Sequence, residues 1–139
     1  MQQEANSKPQ YGSSFSLSVQ DNIAIVTINT QGRTFNLLDT RFTEELHEIL
    51  DAVVYQKREG LIFISGKQNN FIRGFNLTTL EDKTEIELEK FAQDAQAIMH
   101  EIESLNVPTV AAIHGDCYGV GLELALACQI RIATVDGCT

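Results

Sequence analysis

Cysteine is scarce in these 139 residues: Cys117, Cys128 and Cys138 are odd in number and show no CxxC spacing. That supports neither a disulfide framework nor a zinc site, so no metal is expected and reduced, buried thiols are the expectation. Positive charge is scarce as well. Ten Lys and Arg stand against nineteen Asp and Glu, a formal net charge of -9. The balance argues against nucleic acid or an anionic membrane as the main partner, while a local basic pocket for a small anionic ligand remains compatible with it. No apolar run reaches the roughly 18 residues that span a bilayer. The polar start, MQQEANSKPQ, has neither a charged n-region nor an h-region, so a cytoplasmic protein without membrane insertion is expected. Repeats and low-complexity tracts are absent. What is there, 43% hydrophobic and 21% charged residues, suits one compact domain with a real core.

The richest stretch is Pro108 to Cys128, PTVAAIHGDCYGVGLELALAC. Thr109 to Ile113 is β-branched and alanine-rich between a proline and Gly115, which predicts a buried strand. Gly119 and Gly121 follow, and then Leu122 to Cys128 predicts a helix. Glycines at a helix N-terminus leave backbone N–H groups and the helix dipole facing developing negative charge. Glu123 falls in the first turn of that helix. A carboxylate there is either a general base or a favourable first-turn acid.

The rest of the chain alternates strands with helices. Met1 to Ser14 is polar and predicts a mobile lead-in (1–14) before a domain over 15–139. Phe15, Leu17 and Val19 alternate with serines, Asp21-Asn22 makes a turn, and Ile23 to Ile28 returns: a hairpin. Asp39 or Thr40 is placed to cap a helix whose apolar positions are Phe42, Leu46, Ile49, Leu50 and Val53. Glu44, Glu45, Glu48 and a solvated His47 are assigned to its other face. Leu61 to Ile64 predicts a second buried strand, followed by a polar loop, Lys67 to Leu80, in which Gly74 is the residue free to take a positive φ. Thr84 and Glu87 form a capping-box pair. They open a long helix whose apolar face begins at Ile86 or Leu88 and runs through Phe91, Ala95, Ile98, Met99, Ile102 and Leu105. Gln129 to Thr134 predicts a last strand. The order implies an α/β layer arrangement with parallel pairing across the helices, and ligands collecting at the carboxyl ends of the strands.

DNIAIVTIN, RTFNLLD, LIFISGKQNNFIRGFNL and above all PTVAAIHGDCYGVGLELALACQIRIAT resemble the amino-terminal half of the crotonase (enoyl-CoA hydratase/isomerase) family. Within it the chain is most similar to the hydratase domain of bacterial fatty-acid oxidation complexes. The resemblance covers about Ser14 to Thr134. It implies an α/β crotonase-like spiral of ββα units, cut off after the helix carrying Glu123 and the following strand, and trimer-type homo-oligomers. It also implies an acyl-CoA thioester as substrate or ligand, with no other cofactor. The thioester oxygen would be held by the backbone N–H groups of Phe75 and Val120, and Glu123 would act as acid/base with a second glutamate about 20 residues on. Ile72, Arg73 and Gly74 would lie along the CoA, Gly119 and Gly121 would frame the oxyanion turn, and Arg33 would assist with the phosphates.

Three features depart from the family pattern. AGAD reads Arg73-Gly74-Phe75-Asn76, the glycine triplet reads Gly119-Val120-Gly121, and the chain stops at Thr139 before the second glutamate. The two substitutions add bulk beside the thioester site. Enoyl-CoA hydration is therefore the expected ancestral activity, with little or no turnover expected from these residues. The competing expectations are an inactive acyl-CoA or protein-binding relative and a truncated remnant. Apolar faces left uncovered would favour oligomerisation.

Overall fold

The computed structural model describes residues 9–135. Strands β1 (Gln10–Tyr11), β2 (Phe15–Gln20) and β3 (Ile23–Ile28) form an antiparallel meander. Asp21 and Asn22 join β2 to β3 with φ of 51° and 61°, the paired left-handed conformation whose twist matches a tight hairpin. The chain leaves through β4 (Leu37–Leu38) and α1 (Phe42–Tyr55) and returns as β5 (Gly60–Ser65), parallel to β3. Two short strands, β6 (Asn70–Ile72) and β7 (Gly74–Phe75), and a 3₁₀ turn at Leu77–Leu80 lead to α2 (Glu85–Glu103). Then come β8 (Thr109–Ile113), parallel to β5, β9 (Asp116–Cys117), α3 (Val120–Ala127) and β10 (Ile130–Ala133), parallel to β8. The main sheet has the order β1-β2-β3-β5-β8-β10, and β4-β7 and β6-β9 form two small parallel pairs. Phe15, Phe63, Phe71, Phe42, Leu46 and Ile102 are among the fully buried side chains between sheet and helices.

Several elements differ from the sequence reading. Of the lead-in, residues 1–8 lie outside the described residues, whereas Gln10–Tyr11 pairs with Phe15 and Ser16 and Ser14 is buried. The α1 N-cap is Arg41, with no side-chain capping bond. Asp39 instead accepts the Arg41 N–H on Oδ1 at 2.9 Å, because residues 39–41 are still turning. Asn69 takes a positive φ (55°) as well as Gly74 (154°), asparagine being among the side chains that tolerate that region. In α2 the capping box is present, with Thr84 N–H to Glu87 Oε2 at 2.9 Å and Glu87 N–H to Thr84 Oγ1 at 3.2 Å. Its packed face begins at Phe91, since Ile86 and Leu88 are exposed and lie ahead of the covered layer. The β10 side chains are exposed along the sheet edge, Ile130 and Ile132 among them. Among the described residues, Cys117 and Cys128 are free thiols whose pKa burial pushes up, that of Cys128 to about 11. Cys138 lies outside them. No helix among them is long and apolar enough to cross a membrane.

Glu45 is the largest departure on α1. Assigned to the outer face, it is only 8% exposed, and its carboxyl lies over Gly12, where a Cβ would overlap it. Burial, reinforced by the Asp39 charge, raises its pKa to about 7. The folded state therefore prefers the protonated acid. Ionising Glu45 costs no stability below the unfolded pKa of 4.5, an increasing amount between there and about 7, and the full amount above. Glu45→Gln, which keeps the shape without the charge, is expected to raise the unfolding free energy at pH 8 by about 2 kcal/mol. At pH 4 it should change little. Urea titrations at the two pH values check this, and equal effects at both would disprove it.

Candidate functional site

The loops after β5 and β8 meet, and three kinds of contact hold them together. Backbone pairing comes first: β6 runs beside β9, Asp116 N–H donates to Asn69 O at 3.2 Å, and Tyr118 N–H donates to Ile72 O at 3.0 Å. The second is a close approach. A Cβ on Gly121 would stand 2.6 Å from Ile72 Cβ and 2.7 Å from Ile72 O, so only glycine lets α3 settle on β6 here. The third is an ion pair between loops. Arg73 donates through Nε (3.1 Å) and Nη2 (2.9 Å) to Asp116 Oδ2, and its guanidinium lies 4.4 Å above the Phe35 ring. Tyr118 Oη donates to the other oxygen of Asp116.

This closure brings α3 alongside β7, Gly74–Phe75. The helix starts at Val120, two residues earlier than the sequence reading placed it, because Gly119 makes the entry turn with φ 52° and ψ -123°. Val120, as the first helical residue, has no intrahelical acceptor for its N–H, and that end of the helix carries the positive pole of the dipole. Phe75 lies in β7, flanked by bonds from Arg73 N–H to Asn36 O (2.9 Å) and from Asn76 N–H to Leu38 O (2.7 Å).

The added bulk at these two positions does not stand loose. The Phe75 ring packs with Phe91 at 5.1 Å and Phe42 at 6.4 Å between centroids, and Val120 is half-buried against the core. Glu123, in the first turn, is exposed in a groove of about 600 Å³ between α2 and α3. Ala95, Met99, His100, Glu103 and Leu126 line the same groove, so a second carboxylate faces it from α2.

The residues singled out from sequence thus divide. Ile72, Gly74, Phe75, Gly119, Val120, Gly121 and Glu123 come from two adjoining loops and one helical turn. Arg73 is engaged with Asp116 and Phe35 rather than open to a phosphate. Arg33 is exposed on the 31–34 turn, where its carbonyl accepts from Lys67 Nζ, which also reaches Thr30 O at 2.8 Å.

Sequence reasoning missed Asn36, the buried residue that organises this end of the sheet. Its Nδ2 donates to Ile28 O (2.9 Å), Ser65 Oγ (3.0 Å) and Phe71 O (2.8 Å), its Oδ1 accepts Thr30 N–H (2.8 Å), and its own N–H reaches Asn70 Oδ1 (2.9 Å). The only signal in the sequence was one amide inside the apolar run Phe35 to Leu38.

The sequence profile of the enoyl-CoA hydratase/isomerase family matches residues 18–136. The fatty acid oxidation complex subunit alpha of Shewanella oneidensis is 41% identical over 134 residues, which is 92% of this chain and 19% of that protein. That of Shewanella sp. strain MR-4 is 42% identical over 125 residues, 86% of this chain and 17% of that protein. The crystal structure of an enoyl-CoA hydratase from Bacillus anthracis superposes with a TM-score of 0.77 at 26% identity, covering 86% of this chain and 47% of that one. One from Geobacillus kaustophilus gives 0.84 at 22% identity, covering 95% and 48%, a likeness that speaks for the fold alone. The chain spans about a fifth of the length of these curated relatives and about half of the structural neighbours.

Proposed function

The chain belongs to the enoyl-CoA hydratase/isomerase family, and from that premise we propose that it binds an acyl-CoA thioester at the junction of its two loops. The thioester oxygen is received by the N–H groups of Phe75 and Val120, with Glu123 beside it as acid/base. Ile72, Gly74, Gly119 and Gly121 shape the backbone that receives the ligand. Arg33 is left for the CoA phosphates, since Arg73 is already paired. The observation that carries this reading is the seat of Gly121 on Ile72. It fixes the start of α3 on Ile72, two residues before Gly74–Phe75, and an oxygen gaining negative charge is stabilised at such a helix start. In such an arrangement each N–H donor is worth about 2.7 to 4 kcal/mol in the transition state.

Binding and turnover are expected to separate. Hydration needs one carboxylate to direct water and another group to manage the proton, and Glu123 is the one matched glutamate in residues 1–139. Calorimetry with butyryl-CoA is expected to show saturable binding that survives Glu123→Gln. Hydration of crotonyl-CoA, followed by loss of enoyl absorbance, is expected to be slow, and lowered a further ~100-fold by the same substitution. Absence of acyl-CoA binding would sink the proposal. Turnover insensitive to Glu123 would remove this residue from the chemistry. Leu122, Leu126, Ile130 and Ile132, exposed on α3 and β10, favour self-association, and light scattering should show particles larger than one chain.

A further inference from the structure

A second cluster lies away from this junction, where α1 packs beside α2. His47, on α1, sets Nδ1 3.0 and 2.9 Å from the two carboxylate oxygens of Glu101 on α2. Its other nitrogen, Nε2, is 3.4 Å from Oδ2 of Asp51, one turn further along α1. The histidine assigned from sequence to a solvated face is thus exposed, yet held on both of its nitrogens. One ligand-type atom from each of the three residues falls within a 4.8 Å group. A shallow cavity of about 270 Å³ opens beside His47 and Glu101, with Glu44 and Asp94 in its walls and Asp51 outside it. The cation that lines it, Lys90, is bound to Asp94 at 2.7 Å.

We propose that this junction binds a divalent transition-metal ion, with His47 Nε2 and the Asp51 carboxylate as protein ligands and Glu101 holding the imidazole from behind. Glu101 accepts the Nδ1 proton, which leaves Nε2, on the Asp51 side, as the nitrogen that exchanges its proton for a metal. That carboxylate–histidine–metal order is the usual support of a ligating histidine. The spacing fits as well. With bonds of about 2.0 to 2.1 Å, two ligands of a tetrahedral ion stand about 3.3 Å apart, close to the 3.4 Å seen between Nε2 and Oδ2. An i, i+4 pair on one helical face keeps that spacing without moving the backbone.

One imidazole with one carboxylate suits zinc, nickel or copper. Calcium and magnesium take shells of oxygen ligands that this site does not provide. Water completes the shell on the exposed side of His47 and Asp51. The site is independent of acyl-CoA binding, so either reading can fail without the other.

The test is a titration of Ni²⁺ into the full, chelator-treated chain by calorimetry. One saturable site is expected that Mg²⁺ does not compete for. His47→Gln should abolish it, Asp51→Asn weaken it at least about tenfold, and Glu101→Gln weaken it about 10- to 100-fold. His100→Gln, removing a histidine paired with Glu103 on α2, should leave it unchanged. All four side chains are on the surface, and circular dichroism confirms that the variants fold. No saturable site in the unaltered chain would overturn the proposal: the three groups would then be a surface ion-pair cluster only. Binding that survives His47→Gln, or that is lost with His100→Gln instead, would also overturn it.

Discussion

Asn36→Asp is expected to unfold the chain or to bring it to the edge of unfolding. The substitution changes one atom, but it replaces two N–H donors by an oxygen that faces Ile28 O, Phe71 O and Ser65 Oγ, at a residue with 0% exposure. Of the three, only the serine hydroxyl can turn and donate. Breaking a buried, fully bonded polar group and leaving a charge without a partner costs about 3 to 5 kcal/mol, a large part of the roughly 5 to 15 kcal/mol that holds an ordinary domain. Asn36→Ala, which adds no charge but strands the Thr30 N–H and two carbonyls, should cost about 3 kcal/mol. Thr34→Ala, two residues away and exposed, is the control and should change almost nothing. Urea unfolding followed by circular dichroism measures all three. If the Asn36→Asp chain stayed within about 1 kcal/mol of the original, the network would carry little weight.

Gly121→Ala is expected to act on stability and on ligand binding together. The new methyl meets Ile72 Cβ at 2.6 Å and Ile72 O at 2.7 Å. These atoms belong to a strand rather than to the flexible end of a side chain, so the first turn of α3 must move. Overpacking of this kind costs about 1 to 3 kcal/mol, and movement stretches the bond from Tyr118 N–H to Ile72 O. Because that turn carries Val120 and Glu123, acyl-CoA binding should weaken by at least about tenfold if misplacement acts here as it does in other oriented sites. Gly32→Ala separates the two contributions. Its φ of 71° makes alanine strained, but a Cβ there meets nothing within 4 Å, so it should cost about 1 kcal/mol and leave binding intact. Equal losses at the two glycines would rule out the close approach as the cause.

Both expectations concern positions whose weight comes from residues far along the chain. Asn36 bonds to Ile28 and Thr30 nearby, but equally to Ser65, Phe71 and Asn70. Gly121 matters because of Ile72. A short-range pattern registers such residues as an amide in a loop and a glycine before a helix, which is how they first read. Glu45 was misplaced for the same reason. Its spacing put it with Glu44 and Glu48, and the Gly12 turn that covers it is more than thirty residues away. His47 read as solvated and is exposed; what nothing local announces is its bond to Glu101.

The neighbourhood of the proposed acyl-CoA site was more legible. The strand–glycine–helix pattern of Thr109 to Ala127 placed Gly119, Val120 and Glu123 to within two residues of their observed places at the start of the helix. The resemblance paired that stretch with the segment around Phe75. What it could not supply was the direction of the Phe75 ring, which turns into Phe42 and Phe91.

By itself the sequence determined the alternating strands, the Asp21-Asn22 turn, the capping box of α2 and the family, because each depends on residue types within a few positions of one another. Only the tertiary structure decided that Glu45 is buried, that Asn36 ties four segments together, that Gly121 seats α3 on Ile72 and that His47 meets Glu101. Those outcomes depend on which distant surfaces exclude water together, and a linear pattern does not encode that directly.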